Sequence, residues 1–92
     1  MIYESQGFKI NLEYLTRLYP AAVVKMGDEE THVSLEWADL KESVVSIVSY
    51  ILVFDVDPLG KTLDHRIILY YNNRQELEDA MKEVALLLEG NN

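Results

Sequence analysis

Asp55 and Asp57 stand two residues apart at the end of an apolar run. On an extended strand that spacing turns both carboxylates to one side, with their Cα atoms about 6.6 Å apart. His65 would lie diagonally across a hairpin from Asp55. Two carboxylates and an imidazole could hold a divalent cation or transfer protons, as a small metal- or ligand-dependent enzyme would need. Local roles account for the same residues more simply. Asp57 precedes Pro58, where aspartate caps turns, and can pair with Lys61, while Asp55 can steady His65. His32, close to Asp28, Glu29 and Glu30, could gather a metal, but a solvated loop histidine is the simpler account. The chain has no Gly-rich phosphate loop, no nucleophile elbow, no H-E-x-x-H and no EF-hand pattern. The residues therefore predict no catalytic group, no metal site and no cofactor, and a non-enzymatic protein.

Composition narrows the partner. Sixteen Asp and Glu against eight Lys and Arg leave a net charge of −8 on 92 residues. Phosphate contacts need clustered Lys and Arg, so direct binding to nucleic acid or to an anionic membrane is not expected. The charge is spread evenly, with four basic and eight acidic residues in each half, and it peaks locally at Asp28-Glu29-Glu30. Cysteine is absent, which excludes disulfides and thiolate chemistry and leaves the redox compartment open. The first seven residues lack the features of a signal peptide, and the apolar run Val44–Phe54 is about half of the roughly 20 residues a membrane helix needs. A cytoplasmic protein of one domain, residues 1–92, is expected.

The elements that must position these groups form an α+β pattern. Asn11 suits the N-cap of a short helix over residues 12–19, with Ile10 and Leu15 as a staple and Pro20 as the stop. Residues 21–26 and 31–37 read as a hairpin around Gly27-Asp28-Glu29-Glu30, because Val33, Leu35 and Trp37 alternate with polar residues. Residues 38–43 are compatible with a helical turn or a loop. Residues 44–56 and 62–71 read as a second hairpin, whose Asp57-Pro58-Leu59-Gly60-Lys61 turn would give paired numbers summing to 118. Asn73 with Glu76 three residues on begins an amphipathic helix striped by Leu77, Ala80, Met81, Val84, Ala85, Leu87 and Leu88, with Gly90 as a natural C′ residue after its end. The expected fold is a mainly antiparallel sheet of four to five strands with a short N-terminal helix and a longer C-terminal one.

In that register Ile47, Ser49, Ile51, Val53 and Asp55 share a face with Tyr71, Leu69, Ile67, His65 and Leu63, and the C-terminal helix would cover it. The other face would gather Tyr50, Leu52, Phe54, Arg66 and Tyr70, unless the first helix covers it. Aromatic rings beside arginine are the composition of a protein interface. A protein–protein interaction module is therefore predicted, engaging a basic partner or a second copy of itself in a homodimer. The size and charge are those of small inhibitors, immunity proteins and anti-defence proteins that occupy nucleic-acid-binding grooves. A small-ligand site among the aromatic residues is a further alternative.

Overall fold

A computed structural model describes residues 1–57 and 65–90. The chain runs β1 (Ile2–Ser5), β2 (Phe8–Asn11), a 3-10 turn (Leu12–Tyr14), β3 (Leu15–Met26), β4 (Glu29–Val33), α1 (Leu35–Lys41), β5 (Ser46–Val56), β6 (His65–Tyr71) and α2 (Arg74–Glu89). β4, β3, β5 and β6 form a four-stranded antiparallel sheet in that order, and β1 and β2 form a separate two-stranded one. The α+β class, the antiparallel pairing and two helices match the sequence pattern.

The first helix is the main correction. Asn11 does cap, its Oδ1 accepting from the Glu13 N–H at 3.0 Å, but only one 3-10 turn follows. From Leu15 the chain is extended for twelve residues. Leu18, Pro20 and Ala22 pair with Phe54, Leu52 and Tyr50 of β5, and this long-range pairing overrides a weak i, i+3 pattern. Pro20 is tolerated because β4 starts pairing only at Ala22, so β3 has one open side there.

β4 stops sooner than the alternation suggested. Ser34 Oγ accepts from the Trp37 N–H at 3.1 Å and starts α1, which takes Leu35 and Trp37 out of the strand. The turn before β4 holds only Gly27 and Asp28, since Met26 pairs with Glu29, and Gly27 sits at φ 65°. A third hairpin, β1–β2, turns through Gln6 at φ 51° and Gly7 at φ 83°, the two positive values of a type I′ turn.

The β5–β6 register also differs. Tyr50 pairs with Tyr71, Leu52 with Leu69, Phe54 with Ile67 and Asp55 with Arg66, so paired numbers sum to 121. An odd shift of three exchanges the faces of β6 relative to β5. It matches leucine with leucine, and it sets Arg66 directly across from Asp55. The turn expected around Pro58 and Gly60, and Leu63 with it, lie outside the described residues.

α2 begins as expected, with the Glu76 N–H donating to Asn73 Oδ1 at 2.9 Å, and Glu76 Oε2 accepts from the Asn72 N–H at 3.0 Å. It packs on the face carrying Leu52, Phe54 and Leu69, opposite to the one predicted, burying Leu77, Ala80 and Val84 there. Tyr3, Ile10 and Leu12 of the small hairpin and the 3-10 turn complete that cluster, and the Tyr3 ring stacks on Phe54 at 6.0 Å. Leu87 and Leu88 stay exposed beyond the stripe, and Gly90 has helical φ, closing the helix by donating to the Leu86 carbonyl at 2.8 Å. Farther along the same face Ala38 of α1 buries against Ala22 and Val24. A bulge in the β3–β5 ladder leaves Val48 unpaired and brings Ile47 opposite Val24 in this cluster.

Candidate protein-interaction surface

Both helices and the β1–β2 hairpin thus contribute to clusters on one side of the four-stranded sheet. The cluster on the other side, Ala21, Val23, Ile51 and Val53 with Tyr19 and Ile68 packed on it, consists of strand residues alone among those described. The pairing arranges this helix-free face in rows. Arg17, Asp55 and Arg66 form one, Tyr19, Val53 and Ile68 the next, then Ala21, Ile51 and Tyr70. His32, Val23 and Ser49 follow, and Glu30, Lys25 and Ser46 end the face.

The rows of Tyr19 and Ala21 are apolar except for the tyrosine hydroxyls, the row of Val23 is mixed, and the end rows carry the charges. Arg66 grips Asp55 with two hydrogen bonds, Nε to Oδ1 at 2.7 Å and Nη2 to Oδ2 at 3.1 Å. That fork holds the Asp55 carboxyl below the usual carboxylate range, aided by the nearby Arg17 charge. The Arg17 guanidinium lies 4.3 Å from the centre of the Tyr19 ring. Beside Tyr19 an open depression of about 410 Å³ runs from Arg17 over Ala21 to His32. At the sheet edge Gln6 engages Tyr70 like a strand neighbour: its Nε2 donates to the Tyr70 carbonyl at 2.7 Å and its Oε1 accepts from the Tyr70 N–H at 3.0 Å. This occupies one step of the open β6 edge.

The helix side, by contrast, is acidic. Among the described residues off the helix-free face, Lys9, Lys41, Arg74 and Lys82 are the only lysines and arginines, and Asp and Glu outnumber them heavily. Lys9 lies 3.6 Å from Glu4, and Arg74 Nη2 donates to Asp39 Oδ1 at 2.6 Å while its guanidinium lies 5.5 Å from the Tyr50 ring centre. Glu76, Asp79 and Glu83 of α2 line an open groove of about 360 Å³ against the small hairpin, together with Tyr3 and Tyr71. Tyr3 donates to Glu83 Oε2 at 3.2 Å. Burial pushes the Tyr71 phenol up to about 12, with Tyr3 and Glu83 adding to the rise, and it raises Tyr3 as well.

The five residues expected to form one aromatic face do not share a surface. Leu52 and Phe54 are buried beneath α2, Tyr50 lies on that same side under Arg74, and Arg66 and Tyr70 lie on the helix-free face. Asp55 and His65 likewise occupy adjacent positions along the β5–β6 pairing and so point to opposite sides, which removes the diagonal pair. Asp57 follows β5, its N–H bonded to the Tyr14 carbonyl at 3.0 Å and its buried Oδ1 without a partner among the described residues. No three His, Asp or Glu side chains converge as metal ligands among the described residues. Asp28, Glu29 and Glu30 are all exposed, but Glu30 faces the helix-free side opposite Lys25 while Glu29 pairs with Met26 and faces the other. Sequence reasoning misses Arg17 and Tyr19, which it places in a helix, whereas alternation along β6 already sets Ile68 on the face of Arg66 and Tyr70. No helix among the described residues is long and apolar enough to cross a membrane. No protein-family model, curated protein or solved structure matches the chain.

Proposed function

We propose that the chain is a non-enzymatic protein–protein interaction module whose acidic side engages a basic partner, in the manner of a small inhibitor or an immunity- or anti-defence-type protein. The observation that carries this reading is the segregation of charge, with the carboxylates concentrated on the helix side and the helix-free face close to balance. A one-sided field of this kind raises the encounter rate with a cationic surface and orients the approach. The α2 groove, with Glu76, Asp79 and Glu83 beside two phenol rings, suits a lysine or arginine side chain of that partner. Affinity capture from the native host at low salt, followed by mass spectrometry, tests the proposal. Basic proteins should be recovered and should elute as ionic strength rises. Reversing charge on α2 with Glu78→Lys and Asp79→Lys should reduce their recovery. Capture of no partner at low salt, or of partners held regardless of salt and of these substitutions, would sink the idea.

A further inference from the structure

We infer that two copies of this chain pair through the helix-free face, sheet against sheet. Charge selects a second copy as the occupant. On this face Asp55 lies between Arg17 and Arg66, and Glu30 lies opposite Lys25, so neighbours offset one another. A contact between the acidic sides of two chains of net charge −8 would bring carboxylate-rich surfaces together. A face-to-face pair instead directs both acidic sides outward, with two sheets spaced about 10 Å apart between them. A basic partner is drawn to those outer sides and away from this face.

The contact chemistry agrees. Ala21, Val23, Ile51 and Val53 have at most 4% of their surface accessible, already covered by Tyr19 and Ile68. The groups left to meet a partner are therefore Arg17, Tyr19, Ile68 and Tyr70, and tyrosine and arginine over an apolar floor are the residues that concentrate binding energy. Each row crosses three strands, which makes the face about 14 Å wide, and the seven residues from Arg17 to Val23 make it about 23 Å long. That area belongs to the small interface class, so the pair should form at micromolar rather than nanomolar concentration. The proposal concerns the side opposite the acidic one, and it can fail without affecting the basic-partner reading.

Sedimentation equilibrium of the full chain from about 1 µM to about 1 mM tests it. The mass should rise from 10.6 kDa toward twice that value. Added salt should strengthen the pairing by screening the mutual repulsion, the reverse of its effect on a basic partner. Tyr70→Glu and Arg17→Glu alter exposed side chains, and each should weaken the pair about 30-fold or more, with circular dichroism confirming the fold. Glu78→Lys on α2 should not weaken it. A wild-type mass that stays at 10.6 kDa at every concentration overturns the proposal. So does a dimer that both face substitutions leave unchanged, or one that Glu78→Lys dissociates.

Discussion

On the helix side of the sheet Leu52, Phe54 and Leu69 meet Leu77, Ala80 and Val84 from α2 and Tyr3, Ile10 and Leu12 from the N-terminal segment. On the other side Ile51 and Val53, from the same strand, meet only Ala21, Val23, Tyr19 and Ile68 of their own sheet among the described residues. One strand thus supplies two apolar faces with different covers: a second layer of structure, and a layer of long side chains. The first cover is built from elements at both ends of the chain. The second is a fringe of rings and guanidiniums that leaves polar atoms facing water, and a surface of that kind can accept another protein without refolding. β5 is apolar on both faces because both are buried in the single chain, although only one carries helices among the described residues.

The two covers can be told apart by substitution, and the largest effect belongs to the helix side. Phe54→Ala should cost about 3–5 kcal/mol in urea unfolding, since it opens a cavity beneath α2. Tyr70→Ala, on the helix-free face, should change stability by less than about 0.5 kcal/mol while weakening self-association. Comparable losses at the two positions would mean that the fringe is as structural as the helix layer.

A smaller effect is expected where helices are anchored. Asn73→Ala removes the acceptor for the Glu76 N–H and should cost about 1 kcal/mol, and Ser34→Ala should do the same to α1. Neither should alter sheet pairing, which strand-sensitive infrared bands can follow.

pH separates the faces at opposite ends of the scale. Tyr71, on the helix side, holds its proton to about 12 against an ordinary 10.0. The raised value adds stability that is fully present below pH 10 and is lost as pH rises through the folded-state value. Phenolate absorbance should show Tyr71 among the last of the six tyrosines to ionise, and Tyr71→Phe should remove that alkaline loss. Asp55, on the helix-free face, has a lowered value, so its contribution is present above the ordinary carboxylate range and disappears as pH falls through the folded value. This is the smallest effect, because the Arg66 side chain is 53% exposed and water screens the pair. Asp55→Asn should lower the melting temperature slightly at pH 7, and the difference should close in acid.

Features settled within a few residues are legible in the chain itself. The α2 start follows from Asn73 and Glu76, and the β3–β4 turn from Gly27. The strand character of β5 follows from its run of branched and aromatic residues. The same kind of signal misleads where it is outweighed: the Asn11 cap exists, yet pairing with β5 draws Leu15–Met26 into a strand, and the alternation of Val33, Leu35 and Trp37 breaks at the Ser34 cap. The candidate surface is half legible. Arg66 and Tyr70 stand out in the sequence and alternation along β6 sets Ile68 between them, but Arg17 and Tyr19 join them only through strand pairing across the sheet.

The sequence by itself determined the acidic charge, the absence of thiol chemistry, the antiparallel α+β pattern and the long amphipathic helix, because these depend on composition and on periods of two and 3.6 residues. Tertiary structure alone decided which face of β5 the helices cover and which residues share the other. A strand's alternation identifies two faces without saying which is which, and a register change of three residues leaves every local preference intact while exchanging the partners of every side chain on β6. That choice was made by contacts between distant segments: leucine against leucine beneath α2, and arginine against aspartate on the open side.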